Sequence, residues 1–227
     1  MPTETTATTS NVGTCTVKDV SITTWARPER TLSSSEVDGT FERERARWQV
    51  FAFATRRMCV EPHAGSFSVK TVVRGRERYV VEGTPVVLEA GRLLLVNAGE
   101  RYSSAIDQPT VAVSWFLPES LARAMPDVPA VPFRPSPQLD ADRRRLLTAL
   151  SSGAHSDTST VGQCVEELTT IAVHEGLAQF RPRALDGVVR RRTRHDLLVR
   201  VSRARDYLED HHGRDVTLDA LADVASL

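Results

Sequence analysis

Residues 75–102 read GRERYVVEGTPVVLEAGRLLLVNAGERY. Short apolar runs alternate there with glycines at 75, 83, 91 and 99, so a turn residue recurs about every eight positions. Runs of that length, rich in Val, Leu and Tyr and bounded by Gly, form the strands of an antiparallel barrel or sandwich. The pattern extends outward in both directions, through WQVFAFA (48–54) and GSFSVKTVVRG (65–75) to TVAVSWFLP (110–118). In FSVKTVV (67–73), Phe67, Val69, Thr71 and Val73 share one face while Ser68 and Lys70 point the other way. That alternation is what a half-buried strand requires.

Composition narrows the class. The chain has 227 residues, 41% of them apolar, enough to bury a substantial core. Twenty-nine basic residues balance 29 acidic ones, so bulk charge advertises no polyanionic partner. Nearly all the basic residues are Arg, the exceptions being Lys18 and Lys70. The charge is nonetheless uneven, with nine arginines against Asp186 and Asp196 between Arg181 and Arg205. Cys15, Cys59 and Cys164 are scattered without a CxxC pair, which argues against a zinc ribbon or disulfide framework and for a reducing compartment. The start, MPTETTATTSNVGT, is no secretory signal, and apolar runs such as Leu93 to Val96 are far too short to span a bilayer. A cytoplasmic protein without membrane contact is expected.

Five segments follow from the punctuation. Residues 1–40, rich in Thr and Ser, are expected to be mostly irregular, the first dozen disordered. Residues 41–135 carry the strands. Prolines at 126, 129, 132, 135 and 137 predict an extended, helix-free stretch before a helix over Asp140 to Leu150. Val161, Val165, Leu168, Ile171, Ala172 and Leu177 describe a second helix, closing a helical hairpin within 136–180. Two readings of the hairpin's apolar face stay open: packing on the strands, or a dimer interface formed by Leu147, Leu150, Val161, Val165, Leu168 and Ala172. Residues 181–196 read as an Arg-rich linker. In 197–227, Leu197, Val201, Ala204 and Leu208 make one apolar helix face, Gly213 suits the end of that helix, and Thr217 offers an N-cap hydroxyl to a helix striped with Leu218, Leu221, Ala222 and Ala225.

The closing stretch ARDYLEDHHGRDVTLDALADVASL (204–227) resembles the start of the DNA-binding domain of the AraC/XylS family of bacterial transcription regulators. Residues 75–103 are similar to that family's sensor domain, and the order of segments agrees over roughly 40–227. The resemblance implies an α+β fold: a cupin-like antiparallel β-barrel, a helical dimerisation hairpin, and a truncated helix-turn-helix that stops before its recognition helix. No base-reading residue is carried over, since base edges in this family are read by recognition helices. Promoter DNA, a small-molecule effector, a second copy of the chain and RNA polymerase are the partners so implied.

Cupin barrels are also enzymes, built around a metal held by His and Glu. Here His63 is present, but Gly65 stands where a second His belongs, no Glu follows before Gly75, and Tyr102 stands at the later His position. One ligand cannot hold a divalent metal that needs three or four, so neither metal nor cofactor is expected. His155, His174 and His195 have no patterned partner, Cys164 reads as a buried structural residue, and His211 and His212 end a helix whose dipole they complement. No catalytic set emerges, so no enzyme is expected. The barrel's candidate ligand contacts are His63 and Tyr102, which the resemblance points inward, with the aromatic rings of Trp48, Phe67, Tyr79 and Trp115. These rings either enclose a ligand or fill a small barrel. Arg190, Arg191, Arg192 and Arg194 either make weak phosphate contacts or form a solvated connector. The expected function is the sensing and dimerisation region of an AraC-type regulator. The alternatives are a metal-free cupin enzyme and a protein-interaction module without a ligand.

Overall fold

The computed structural model describes residues 3–5, 20–26, 29–33, 46–151, 158–180 and 191–226. Its eleven described strands are β1 (Thr3–Thr5), β2 (Val20–Ala26), β3 (Glu29–Leu32), β4 (Trp48–Thr55), β5 (Arg57–Ala64), β6 (Ser68–Arg74), β7 (Arg76–Val81), β8 (Thr84–Glu89), β9 (Leu93–Val96), β10 (Arg101–Ile106) and β11 (Thr110–Phe116). They form two sheets, β1-β2-β4-β11-β6-β9 and β3-β5-β10-β7-β8. Helices α1 (Glu119–Ala122), α2 (Pro137–Ser151), α3 (Thr158–Gln179), α4 (Arg191–Asp210) and α5 (Leu218–Ala225) follow. The fold is α+β.

Turn chemistry explains the spacing of the glycines. At the β6–β7 corner Gly75 has φ +86°, and a Cβ there would meet the Pro109 carbonyl oxygen at 2.5 Å, so both dihedral and space demand glycine. The β7–β8 hairpin turns on Glu82 and Gly83, with φ 49° and 79°. Two positive-φ residues between strands make the turn whose twist matches the sheet.

Two strand pairs depart from the antiparallel expectation. β2 runs parallel to β4, with Ile22 opposite Val50, and β3 runs parallel to β5. Val20 and Ile22 are buried in the core, so part of the segment expected to be irregular supplies sheet. Residues 6–19, which hold most of the stretch expected to be disordered, lie outside the described residues.

The first sheet is buried on both faces. In β11, Trp115 and Val113 alternate with Phe116, Ser114 and Ala112, and register places Trp115 beside Val50 and Val69, and Ser114 beside Phe51 and Lys70. The Trp115 side faces the helices: its indole N–H donates to Thr169 Oγ1 of α3 at 2.9 Å, and Arg143 of α2 donates to Thr71 Oγ1 at 3.1 Å. The Lys70 side faces the second sheet. The pattern of FSVKTVV was thus read with the right period but too few covered faces: β6 is central, and Ser68 and Lys70 point into the space between the sheets.

The same geometry decides the helical hairpin. Leu150, Val161, Val165, Leu168 and Ala172 are buried in the core of the single chain, with Leu147 half-buried against them. The expectation of a dimer interface at these six residues gives way to the alternative of packing on the strands, because the outer face of the first sheet needs this cover. The hairpin's first helix starts earlier than the prolines suggested. Ser136 caps it, its Oγ accepting from the Leu139 N–H at 3.2 Å, and its backbone N–H donates to Glu175 Oε2 of α3 at 2.9 Å. Pro137 then occupies the first helical position, where a missing N–H costs nothing.

The last segment also shifts. Helix begins at Arg191, inside the stretch read as linker. The buried residues of α4 are His195, Leu198, Val199, Ser202 and Asp206, whereas Val201 is 61% exposed and Leu208 lies open to solvent. Val201 and Leu208 of the stripe read as the packing face therefore point away, because α4 docks through Leu198 and Val199 together with polar contacts. Arg92 pairs with Asp206, Ser202 Oγ donates to the Pro132 carbonyl at 3.3 Å, Arg205 reaches Gln179 at 3.0 Å, and Arg134 pairs with Asp210 at 2.5 Å. The caps hold as read: Thr217 Oγ1 accepts from the Ala220 N–H at 3.2 Å. His211 and His212 each donate from Nδ1 to a carbonyl of the preceding turn, at 2.8 Å. Among the described residues no helix is long and apolar enough to cross a membrane.

Candidate functional site

Between the two sheets lies a polar cluster in an otherwise apolar interior. β6 and β11 contribute Lys70, Ser68, Ser114 and Phe116, which share a face by their register. From the second sheet, β7 contributes Glu77 and Tyr79, the inward members of the alternation in RERYVV. β10 adds Tyr102 and Ser104, and β5 adds His63. A bulge aims His63 inward: Tyr102 pairs with His63 but Ser104 with Val60, so β5 spends one residue more than its partner. Pro62, which has no N–H to give a ladder, lies inside that bulge.

Lys70 is the centre of the cluster. Its ammonium donates to the Tyr102 hydroxyl at 3.3 Å. It also lies 4.5 Å from the ring centroids of Tyr102 and Phe116 and 5.7 Å from that of Tyr79. The His63 and Tyr102 rings are in contact, with centroids 4.4 Å apart, and His63 Nδ1 donates to the Glu61 carbonyl at 2.9 Å. Among the described residues no carboxylate oxygen lies within ion-pair distance of Lys70; the charge of Glu77 acts on it through space.

Burial governs the titration. Desolvation lowers Lys70 to about 8, against the opposing pull of Glu77. Desolvation likewise raises the Glu77 carboxyl, opposed by hydrogen bonds from Tyr79 and Ser104 and by the charge of Lys70. Both tyrosines are pushed above the ordinary phenol range, by burial first and by Glu77 second. Near pH 8 the cluster thus offers an amine close to its midpoint, a carboxyl that holds its proton unusually well, and two hydroxyls that stay protonated. Among the buried side-chain atoms without a hydrogen-bond partner are Gln49 Oε1, Ser68 Oγ and Glu77 Oε2. Gln49 and Ser68 flank Phe116 in one cross-strand row, on the face that carries Lys70. A buried acceptor left unpaired costs roughly 1–3 kcal/mol, so three in one interior mark a place where donors from a bound molecule would be accepted.

Of the six aromatic and imidazole residues expected to contact a ligand, the structure brings His63, Tyr79 and Tyr102 together. Trp48 and Trp115 fall on the opposite face of their sheet, against the helices, and Phe67 lies buried in the bend before β6. Their strands have two covered faces, so an aromatic on them need not point inward. Lys70, Glu77, Gln49 and Ser68 went unrecognised. One signal was present: in a chain with 29 basic residues Lys70 is one of two lysines, and a lysine inside an alternating strand can be a buried amine. Arg190 and the side chains of Arg191, Arg192 and Arg194 lie outside the described residues.

A concavity lies outside the second sheet. Strand β8 is its edge, and α4 packs on it. Between them is a groove of about 440 Å³ walled by Val87, Val131, Val199 and Tyr207, with Arg76 and Arg203 at its rim.

Comparison with known proteins gives distant likenesses. No family model matches the chain, and no curated protein matches it. Among solved structures, the AraC-like transcriptional activator CuxR is 13% identical over 71% of this chain and 57% of its own, with a TM-score of 0.38. An apo ToxT variant from Vibrio cholerae is 7% identical over 78% of this chain and 69% of its own, with a TM-score of 0.40. A salicylate 1,2-dioxygenase from Pseudaminobacter salicylatoxidans is 21% identical over 34% of this chain, which spans only 23% of that enzyme; the TM-score is 0.28. These values are too low to carry any inference about activity.

Proposed function

We propose that this chain is the effector-sensing part of an AraC-type transcription regulator, with a small molecule bound between the sheets as its signal. One observation supports this most directly. The β7–β8 hairpin lines the polar cluster with Glu77 and Tyr79 on its inner side and holds α4 along its outer edge. A ligand contacting Glu77 or Tyr79 is therefore one strand away from the helix that leads into the Thr217-capped α5. Differential affinity for two positions of α4 would shift their populations, which is all that coupling between sites requires. The resemblance of residues 204–227 to the start of a DNA-binding domain supplies the output.

The test is a reporter fused to the upstream region of the gene, read with the gene intact, deleted, and restored with Glu77→Gln. Regulation that depends on the gene and loses its response to small molecules in the Glu77→Gln strain supports the reading. Transcription unchanged by deletion overturns it.

A further inference from the structure

We propose that the signal is a small aldehyde or ketone, captured by Lys70 as a reversible imine. This rests on the reading of the interior as a ligand site and names the chemistry of its occupant.

Three observations carry it. First, Lys70 is 3% exposed and its hydrogen bond goes to a neutral phenol, Tyr102, within a cage of three aromatic rings. A lysine placed for structure alone is met by a carboxylate when buried; this one meets a phenol and three aromatic rings instead. Second, unpartnered Glu77 Oε2, Gln49 Oε1 and Ser68 Oγ share the interior with it, on residues 2%, 4% and 0% exposed. Third, arginine fills nearly every other basic position of the chain. Arg cannot lose its proton and forms no imine, whereas a desolvated Lys does both. The lowered affinity of Lys70 for its proton agrees with this, giving a sizeable neutral fraction near pH 8.

The chemistry balances without an oxidant or reductant. The lone pair of neutral Nζ adds to the carbonyl carbon, and a proton passes from that nitrogen to the former carbonyl oxygen to give a carbinolamine. The Glu77 carboxyl then protonates that hydroxyl, which leaves as water as the nitrogen loses its proton, so C=N replaces C=O. The groups facing Lys70 are Glu77, Tyr79, Tyr102 and His63. The tyrosines stay protonated across the range in question, and Lys70 loses its proton near pH 8.

Because Lys18 and Lys70 are the only lysines, the test reads one position. The full chain carrying Lys18→Arg is incubated with benzaldehyde or glyoxylate, reduced with sodium cyanoborohydride, and examined by intact mass and peptide mapping. The expected result is one adduct per chain on Lys70, half-complete at a concentration at least tenfold lower than for the N-terminal amine. Its rate should rise through pH 8, where Lys70 loses its proton, and level off about one unit above. Glu77→Gln should slow trapping at least tenfold while leaving the circular dichroism spectrum intact. Adducts on the N-terminal amine alone, or on Lys70 only after urea is added, would overturn the proposal. The reporter experiment is independent of the outcome: gene-dependent regulation with no Lys70 adduct removes the imine and leaves the sensor.

Discussion

Trp115 donates its indole N–H to Thr169 Oγ1 at 2.9 Å, and Thr169 in turn donates to the Val165 carbonyl one helical turn back at 2.6 Å. This relay joins the middle of the first sheet to the middle of α3, two elements that the sequence reading left free to separate. It makes the helical hairpin part of the core of one chain, and it sets the first expectation.

A charge in the hairpin should unfold the protein. Leu168→Glu buries a carboxylate at a site that is 1% exposed, at a cost of several kcal/mol. Trp115→Phe, which leaves Thr169 without its donor, should cost about 1–3 kcal/mol. Urea titration followed by circular dichroism checks both. A Leu168→Glu protein that keeps the wild-type midpoint and merely changes its sedimentation coefficient would contradict the packing described here.

The orientation of α4 can be tested by contrast. Leu198→Ala, on the covered side, should cost about 2–5 kcal/mol if α4 unfolds with the barrel. Val201→Gln, on the stripe that faces solvent, should stay within about 0.5 kcal/mol of wild type. Reversal of that order would show the helix turned about its axis.

Docking of α4 depends on Arg92 and Asp206, both mostly buried. Removing one member strands the other, so Asp206→Asn and Arg92→Ala should each loosen α4 and α5, and the double variant should lose less than the sum. Hydrogen exchange should show faster amides across 195–225 while those of β6 and β11 are unchanged. Uniform acceleration over the whole chain would mean that the pair supports global stability instead.

Lys70 gives stability a pH dependence with a definite sign. Its proton is held less tightly in the folded chain, to about 8, than in the unfolded chain, near 10.5. Between those values the unfolded state binds more protons, so folding is favoured as pH rises. The urea midpoint should therefore climb from pH 8 to pH 10, and Lys70→Met should flatten that climb. An equal slope in both proteins would mean that the ammonium is not desolvated.

What the sequence disclosed, and what it hid, follow from one physical difference. Period and punctuation are local, so the strands about Gly75, Gly83, Gly91 and Gly99, the Thr217 cap and the His211 and His212 contacts were legible. The number of covered faces is not local. Lys70 and Ser68 alternate with Val69 whether the far side meets water or another sheet, and Leu197, Val201 and Leu208 make a stripe whether or not anything rests on it. The polar docking of α4 through Asp206, Ser202 and Arg205 runs against the expectation that the apolar side of an amphipathic helix is the side that packs. For the same reason His63, Tyr79 and Tyr102 were within reach, while the amine and carboxyl between them were not.

Trp48 and Trp115 both stand on the hairpin side of their sheet, separated from Lys70 by the thickness of a strand. Their emission is thus an optical gauge of how tightly α2 and α3 sit, and it is poorly placed to register what enters between the sheets. The informative chromophores are the phenols: Tyr79 and Tyr102, with the shifted amine beside them, should change their near-ultraviolet absorbance when that space fills.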